Sequence, residues 1–155
     1  MKNIEGKLIT SLKKGLCVPS SVKLARELKE PTSTMHFNIK KLEREGKILG
    51  YKPIMNYKKI EKGFCGFALV KLDKEIYRNT KLALKEAERI AKHESVESVD
   101  LITGNFELLV KIRAKDHDDY FTKTGEILSS EHIEKVNTLV SIKQIKSEHT
   151  NLPQT

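Results

Sequence analysis

"STMHFNIKKLEREGKILGY", residues 33–51, reads as a helix that stops abruptly and passes into an extended segment. Wound into a helix, Met35, Ile39 and Leu42 fall at i, i+4 and i+7 and share a narrow apolar seam. Ser33, Phe37, Lys40, Lys41 and Arg44 fall on the opposite side. Gly46 is placed to end the helix, because a left-handed residue after the last turn costs glycine little. Alone, this pattern fits a surface helix with a solvated basic face as well as a helix that binds something. Its neighbours discriminate.

Upstream, Ile4, Leu8, Leu12 and Leu16 recur every four residues with Ile9 alongside, which predicts an amphipathic helix from residue 4 to about residue 14, ended by Gly15. Pro19 then breaks the chain, and Ser20 or Ser21 caps a short second helix with Val22, Ala25 and Leu28 inward. "KEPT", 29–32, makes a tight turn, with Thr32 or Ser33 as the next N-cap. Three short helices so spaced form a helix-turn-helix whose last helix faces outward. In such a unit Ser33, Thr34, His36 and Phe37 are candidates for base edges in a major groove, and Lys40, Lys41 and Arg44 for phosphate. Phe37 has two readings, against a thymine methyl or folded over the core; His36 is equally readable as a solvated side chain. After Gly46, Ile48, Tyr51, Pro53 and Ile54 predict a strand leaving the unit, and a lysine-rich linker ends at Gly63.

Charge is divided accordingly. The chain of 155 residues carries a net +8, but residues 1–62 hold 15 Lys and Arg against 6 Asp and Glu, while residues 63–155 hold 14 against 15. The whole basic excess lies in the first part, as expected of a part that meets a polyanion. No apolar run approaches the ~18 residues of a membrane span, and the polar N-terminus does not read as a signal peptide. Cys17 and Cys65 are far apart and fit reduced thiols in a cytoplasmic protein better than a disulfide framework or a zinc site.

The remainder alternates strand and helix. Residues 64–72 are apolar at nearly every position, which predicts a strand buried on both faces. Residues 80–93 read as a helix with Ala83, Ala87, Ile90 and Ala91 inward. "SVESVDLIT" and "FELLVKIRA" flank Gly104-Asn105, a tight-turn signal between two strands. Asp116 caps a further helix with Tyr120, Thr124, Ile127 and Leu128 inward, and residues 133–146 end on a strand with Val136, Thr138, Val140 and Ile142 on one face. The order is β-α-β-β-α-β, a ferredoxin-like sandwich. Two helices cover one face of a four-stranded sheet; the other needs a partner, and a second subunit supplies it most simply.

With both halves in view, the chain resembles the Lrp/AsnC (feast/famine) transcription regulators over almost its whole length. The resemblance rests on "SSVKLARELKEPTSTMHFNIKKLEREGKILGY", "KPIMNYKKI", "VESVDLITGNFELLVKIRA" and "KVNTLVSIKQIK". It implies an α+β fold: an N-terminal (winged) helix-turn-helix domain over 1–55, a linker over 56–63, a ferredoxin-like βαββαβ sandwich (RAM domain) over 64–147 for ligand sensing and oligomerisation, and a tail over 148–155. It adds Ser21, Thr32 and Asn38 to the residues set against double-stranded DNA. It further implies homodimers that assemble to octamers or other even oligomers, and a small amino-acid effector held between subunits near Thr103, Gly104, Asn105, Glu107 and Thr138. No cofactor, metal or membrane partner is implied. The family's usual Gly-Asp-aromatic-Asp turn reads Gly104-Asn105-Phe106-Glu107 here, and Asn38 stands where many members carry arginine. Two rival classes remain: an enzyme built on the sandwich, for which no catalytic or phosphate-binding motif is present, and an architectural DNA-binding protein without an effector.

Overall fold

The computed structural model describes residues 17–143 together with residues 4, 8, 9 and 12. It divides into two compact units, 1–55 and 56–155. Of the expected first helix, the described positions Ile4, Leu8, Ile9 and Leu12 are helical; Gly15 and Leu16 lie outside the described residues, as does the chain beyond Lys143.

In the first unit, α1 (Ser21–Leu28) is capped by Ser20, whose hydroxyl accepts from Lys23 N at 3.3 Å. It ends on Lys29 in the left-handed region, φ 56°, with Glu30 N bonding back to Ala25 O. α2 (Thr32–Arg44) follows after the short turn. Neither Thr32 nor Ser33 caps it: Pro31 holds the N-cap position and offers no side-chain acceptor, so the hydroxyls remain free of that duty. At the other end Gly46, at φ +68°, bonds to Glu43 O and Lys47 N to Leu42 O, the paired backbone bonds of a Schellman stop. The expected strand over 48–54 is not formed among the described residues. Pro53 lacks a donor, and the described residues of this unit hold no strand for the segment to pair with.

In the second unit β1 (Phe64–Leu72), β2 (Val96–Leu101), β3 (Leu108–Ala114) and β4 (Ile133–Val140) form one sheet in the order β2-β3-β1-β4, every neighbouring pair antiparallel. Two helices precede β2 rather than one: α3 (Lys74–Arg78), capped by Asp73, and α4 (Thr80–Ala91), capped by Asn79. α5 (His117–Leu128) starts at Asp116, which accepts from Asp119 N at 3.0 Å, while Asp119 accepts from Lys115 N and Lys123 Nζ. The acidic run 116–119 thus serves the helix start.

The helices cover one face of the sheet. Ala68, Val70 and Leu72 of β1 and Leu108, Val110, Ile112 and Ala114 of β3 pack with Ile76, Ala83, Ala87, Ile90, Tyr120, Ile127 and Leu128 into one core. Between helices, Glu86 is 4% exposed and paired with Arg89 at 2.7 Å, and Arg89 also donates to Ile127 O, tying α4 to α5. β1 is not buried on both sides, contrary to the reading of its sequence. Cys65, Phe67, Leu69 and Lys71 alternate with the core residues and are only half-buried, because the helices that cover the sheet lie on its other face.

Candidate functional site

α2 owes its outward character to sequence. Every fourth residue or so, Met35 and Ile39, is half-buried, and no residue of the helix is fully buried. Leu42, expected in the seam, is more exposed than that pattern predicts. Ser33, Thr34 and His36 are exposed, and Phe37 is 64% exposed, which removes its core reading. Thr32 is exposed at the helix start and Ser21 half-buried at the start of α1. Asn38 turns its amide back to Thr34 O at 2.9 Å along its own helix.

The three basic residues of α2 differ in their surroundings. Lys40 Nζ lies 2.8 Å from Glu43 Oε2, Lys41 approaches Glu45 only to 3.9 Å, and Arg44 has no ion pair among the described residues. Glu43 Oε1 in turn accepts from the Tyr51 hydroxyl at 3.1 Å. The Glu43–Tyr51 contact escapes a reading of the sequence, since it depends on the chain reversal at Gly46. The Lys40–Glu43 half was readable from its i, i+3 spacing.

The turn between β2 and β3 is longer than Gly104-Asn105 alone predicts. β2 ends at Leu101 and β3 begins at Leu108, with Ile102 N closing the loop onto Glu107 O at 2.9 Å. Gly104 has φ +123°, a region closed to ordinary side chains. Thr103, Gly104 and Asn105 are exposed; Glu107 is not free in the same way. Its N–H donates to Val70 O, and Glu107 Oε2 accepts from Leu72 N at 2.8 Å, so the side chain replaces a backbone carbonyl at the end of the β1–β3 ladder. Thr138 lies in β4 at the register of Ala68, exposed, and β1 stands between it and β3.

On the open sheet face Leu69 stands opposite Leu109, and Phe67 opposite Leu139. Glu97 accepts from Arg113 at 2.6 Å and Lys111 at 3.2 Å, and the Arg113 guanidinium lies 4.0 Å over the Tyr57 ring. Burial pushes the Glu97 carboxyl up, but the two cations outweigh it and hold the group below the usual carboxylate range. Burial pushes the Cys65 thiol up.

The sequence over residues 66–150 matches the model of the Lrp/AsnC ligand binding domain. The chain belongs to the Lrp/AsnC family. An HTH-type transcriptional regulator of Pyrococcus furiosus is 33% identical over 127 residues, 81% of this chain and 82% of that one. Among solved structures, an AsnC family transcriptional regulator from Agrobacterium tumefaciens shares the fold with a TM-score of 0.74 at 18% identity, covering 99% of this chain and 97% of that one. A transcriptional regulator of Neisseria meningitidis, solved as its L-Met complex, does so with a TM-score of 0.71 at 19% identity, covering 99% and 96%. This Lrp/AsnC chain is thus an HTH-type transcriptional regulator with a ligand-binding domain, of a family of regulators and not of enzymes. Among its described residues no helix is long and apolar enough to cross a membrane.

Proposed function

We propose that this regulator reads specific DNA with the first turns of α2 and is tuned by a small amino acid held between subunits. One observation carries the DNA reading: α2 turns Ser33, Thr34, His36 and Phe37 to solvent together, above a basic second half. Ser33 and Thr34 present hydroxyls to base edges, Phe37 an apolar ring to a thymine methyl, and Lys41 and Arg44 charge to phosphate. Ser21, Thr32 and Asn38 flank that surface. In this reading residues 1–55 bind DNA, 56–63 connect, 64–147 sense and oligomerise, and 148–155 form a tail.

Oligomers form through the open sheet face, whose apolar centre is only half-buried among the described residues, and pairs assemble further into octamers or other even rings. Two α2 helices then read a pseudo-palindrome with half-sites about one helical turn apart or a multiple of it. The effector lies where the exposed turn Thr103–Asn105 meets another subunit, its backbone N–H groups facing the ligand carboxylate, with Thr138 contributed across the assembly. The Neisseria meningitidis relative bound to L-Met supports an amino acid as the ligand class. Since Glu107 Oε2 already serves Leu72 N, Glu107 holds the turn in shape and offers the ligand ammonium its second oxygen. Selection of bound sites from random DNA, repeated with each common amino acid at millimolar concentration, tests the whole reading. A defined palindromic preference shifted by one or a few amino acids supports it. Enrichment of no sequence leaves an architectural DNA-binding protein instead.

A further inference from the structure

Lys40 differs from its basic neighbours on α2 in what holds it. A lone i, i+3 pair on an exposed helix is worth little, because both long side chains sample many rotamers. Here one partner is fixed. Glu43 is half-buried and engaged through both oxygens, one by Lys40 at 2.8 Å and the other by the Tyr51 hydroxyl at 3.1 Å. Tyr51 lies beyond the Gly46 reversal, so the carboxylate is gripped by its own helix and by the segment that follows. Hydrogen bonds from Lys40 and Tyr51 hold the Glu43 carboxyl below the usual carboxylate range, so it stays charged at neutral pH.

We propose that Glu43, anchored by Tyr51, stands in for a DNA phosphate at Lys40 and thereby limits the affinity of the recognition surface for the DNA backbone. This rests on the reading of α2 as the DNA-facing helix. A cation that neutralises a phosphate releases condensed counterions, and log affinity then falls with log salt by roughly 0.9 for each such contact. The Lys40–Glu43 pair brings no net charge to the duplex and releases none, whereas Arg44 and the loosely held Lys41 do. Phosphate contacts carry no sequence information. Glu43 therefore lowers affinity for all sequences alike and leaves base preference to the first turns of the helix.

The test measures binding of the whole chain to random-sequence duplex across a salt series, by fluorescence anisotropy. Glu43→Gln should tighten binding about three- to tenfold near 0.1 M salt and steepen the slope by roughly 0.9 per bound subunit. Lys40→Gln should alter the wild-type slope much less than the Glu43→Gln slope, where it should remove the whole gain. Tyr51→Phe should give part of the gain, and Arg44→Gln should flatten the wild-type slope. The proposal is overturned if Glu43→Gln does not tighten binding, or if Lys40→Gln flattens both slopes equally. A wild-type slope near zero is a separate result: it removes the DNA-facing reading of α2 itself, and this proposal with it.

Discussion

At Gly66 a missing side chain makes room for an aromatic ring. A Cβ built there would fall against the ring of Tyr120, which is fully buried and donates its hydroxyl to Phe67 O at 3.1 Å. The ring crosses β1 where the strand has no side chain, and the hydroxyl donates to a backbone carbonyl of the same strand. Gly66→Ala should therefore destabilise the second unit by about 1–3 kcal/mol, since a core that is already close-packed must shift a large ring. In a Tyr120→Leu background the same change should cost much less. Urea unfolding of the four proteins of this cycle checks it, and an unchanged midpoint for Gly66→Ala would contradict the account. From the sequence, Tyr120 was readable as an inward helix residue, but that it lies across Gly66 was not: the two meet only when the strand and the helix pack.

Elements show where sequence carries structure and where it stops. Caps were legible because donor and acceptor lie within five residues of one another: Ser20, Asp116 and the Gly46 stop all stand as their local sequence implies. The start of α2 was misread because Thr32 and Ser33 are good capping residues that Pro31 displaces by one position. The strand expected over 48–54 and the length of the 102–107 turn were illegible for another reason. Pairing needs a partner strand, and Glu107 satisfies Leu72 N with a side chain, which no periodicity reports. Of the candidate site, the outward face of α2 was legible from helical spacing, whereas the grip of Tyr51 on Glu43 was not. Lys29, which ends α1 at φ 56°, is a residue in a conformation that favours glycine. Lys29→Gly should raise the stability of the first unit by about 0.5–1 kcal/mol, read as a higher thermal midpoint. Between β2 and β3, Glu97 has its carboxyl held low by Arg113 and Lys111 against the opposing effect of burial. A depressed folded value contributes stability that is full above the unfolded carboxylate range and is lost as pH falls through the folded value. Glu97→Gln should then be less stable than wild type at pH 7, with the gap closing below about pH 4. A gap that is independent of pH would assign the loss to packing.

For the whole molecule, the proposed assembly rests on the open sheet face. Leu69 with Leu109 and Phe67 with Leu139 form an apolar centre, with Lys71 and the Glu97–Lys111–Arg113 group around it. A carboxylate in that centre would be desolvated without a partner if a second copy covered it. Leu109→Glu should therefore yield a folded monomer at micromolar concentration by sedimentation, and weaken binding to a two-half-site operator far more than to a single half-site. A Leu109→Glu protein that still sediments as a dimer would place the contact elsewhere. The same face has a consequence during synthesis. β1 occupies the middle of the sheet, yet its neighbours arrive late: Phe64 waits for Ala114, and Gly66 for Val140. Long loops must close before those pairings return anything, so the sheet forms slowly, whereas the contacts of the α1–α2 pair lie close along the chain. Until β3 and β4 emerge, "FCGFALV" hangs as an uncharged, strand-prone segment with both edges bare, and Lys71 is the first charge to interrupt it. A charge that flanks such a segment opposes aggregation before there is a fold, and Lys71 stands at that position.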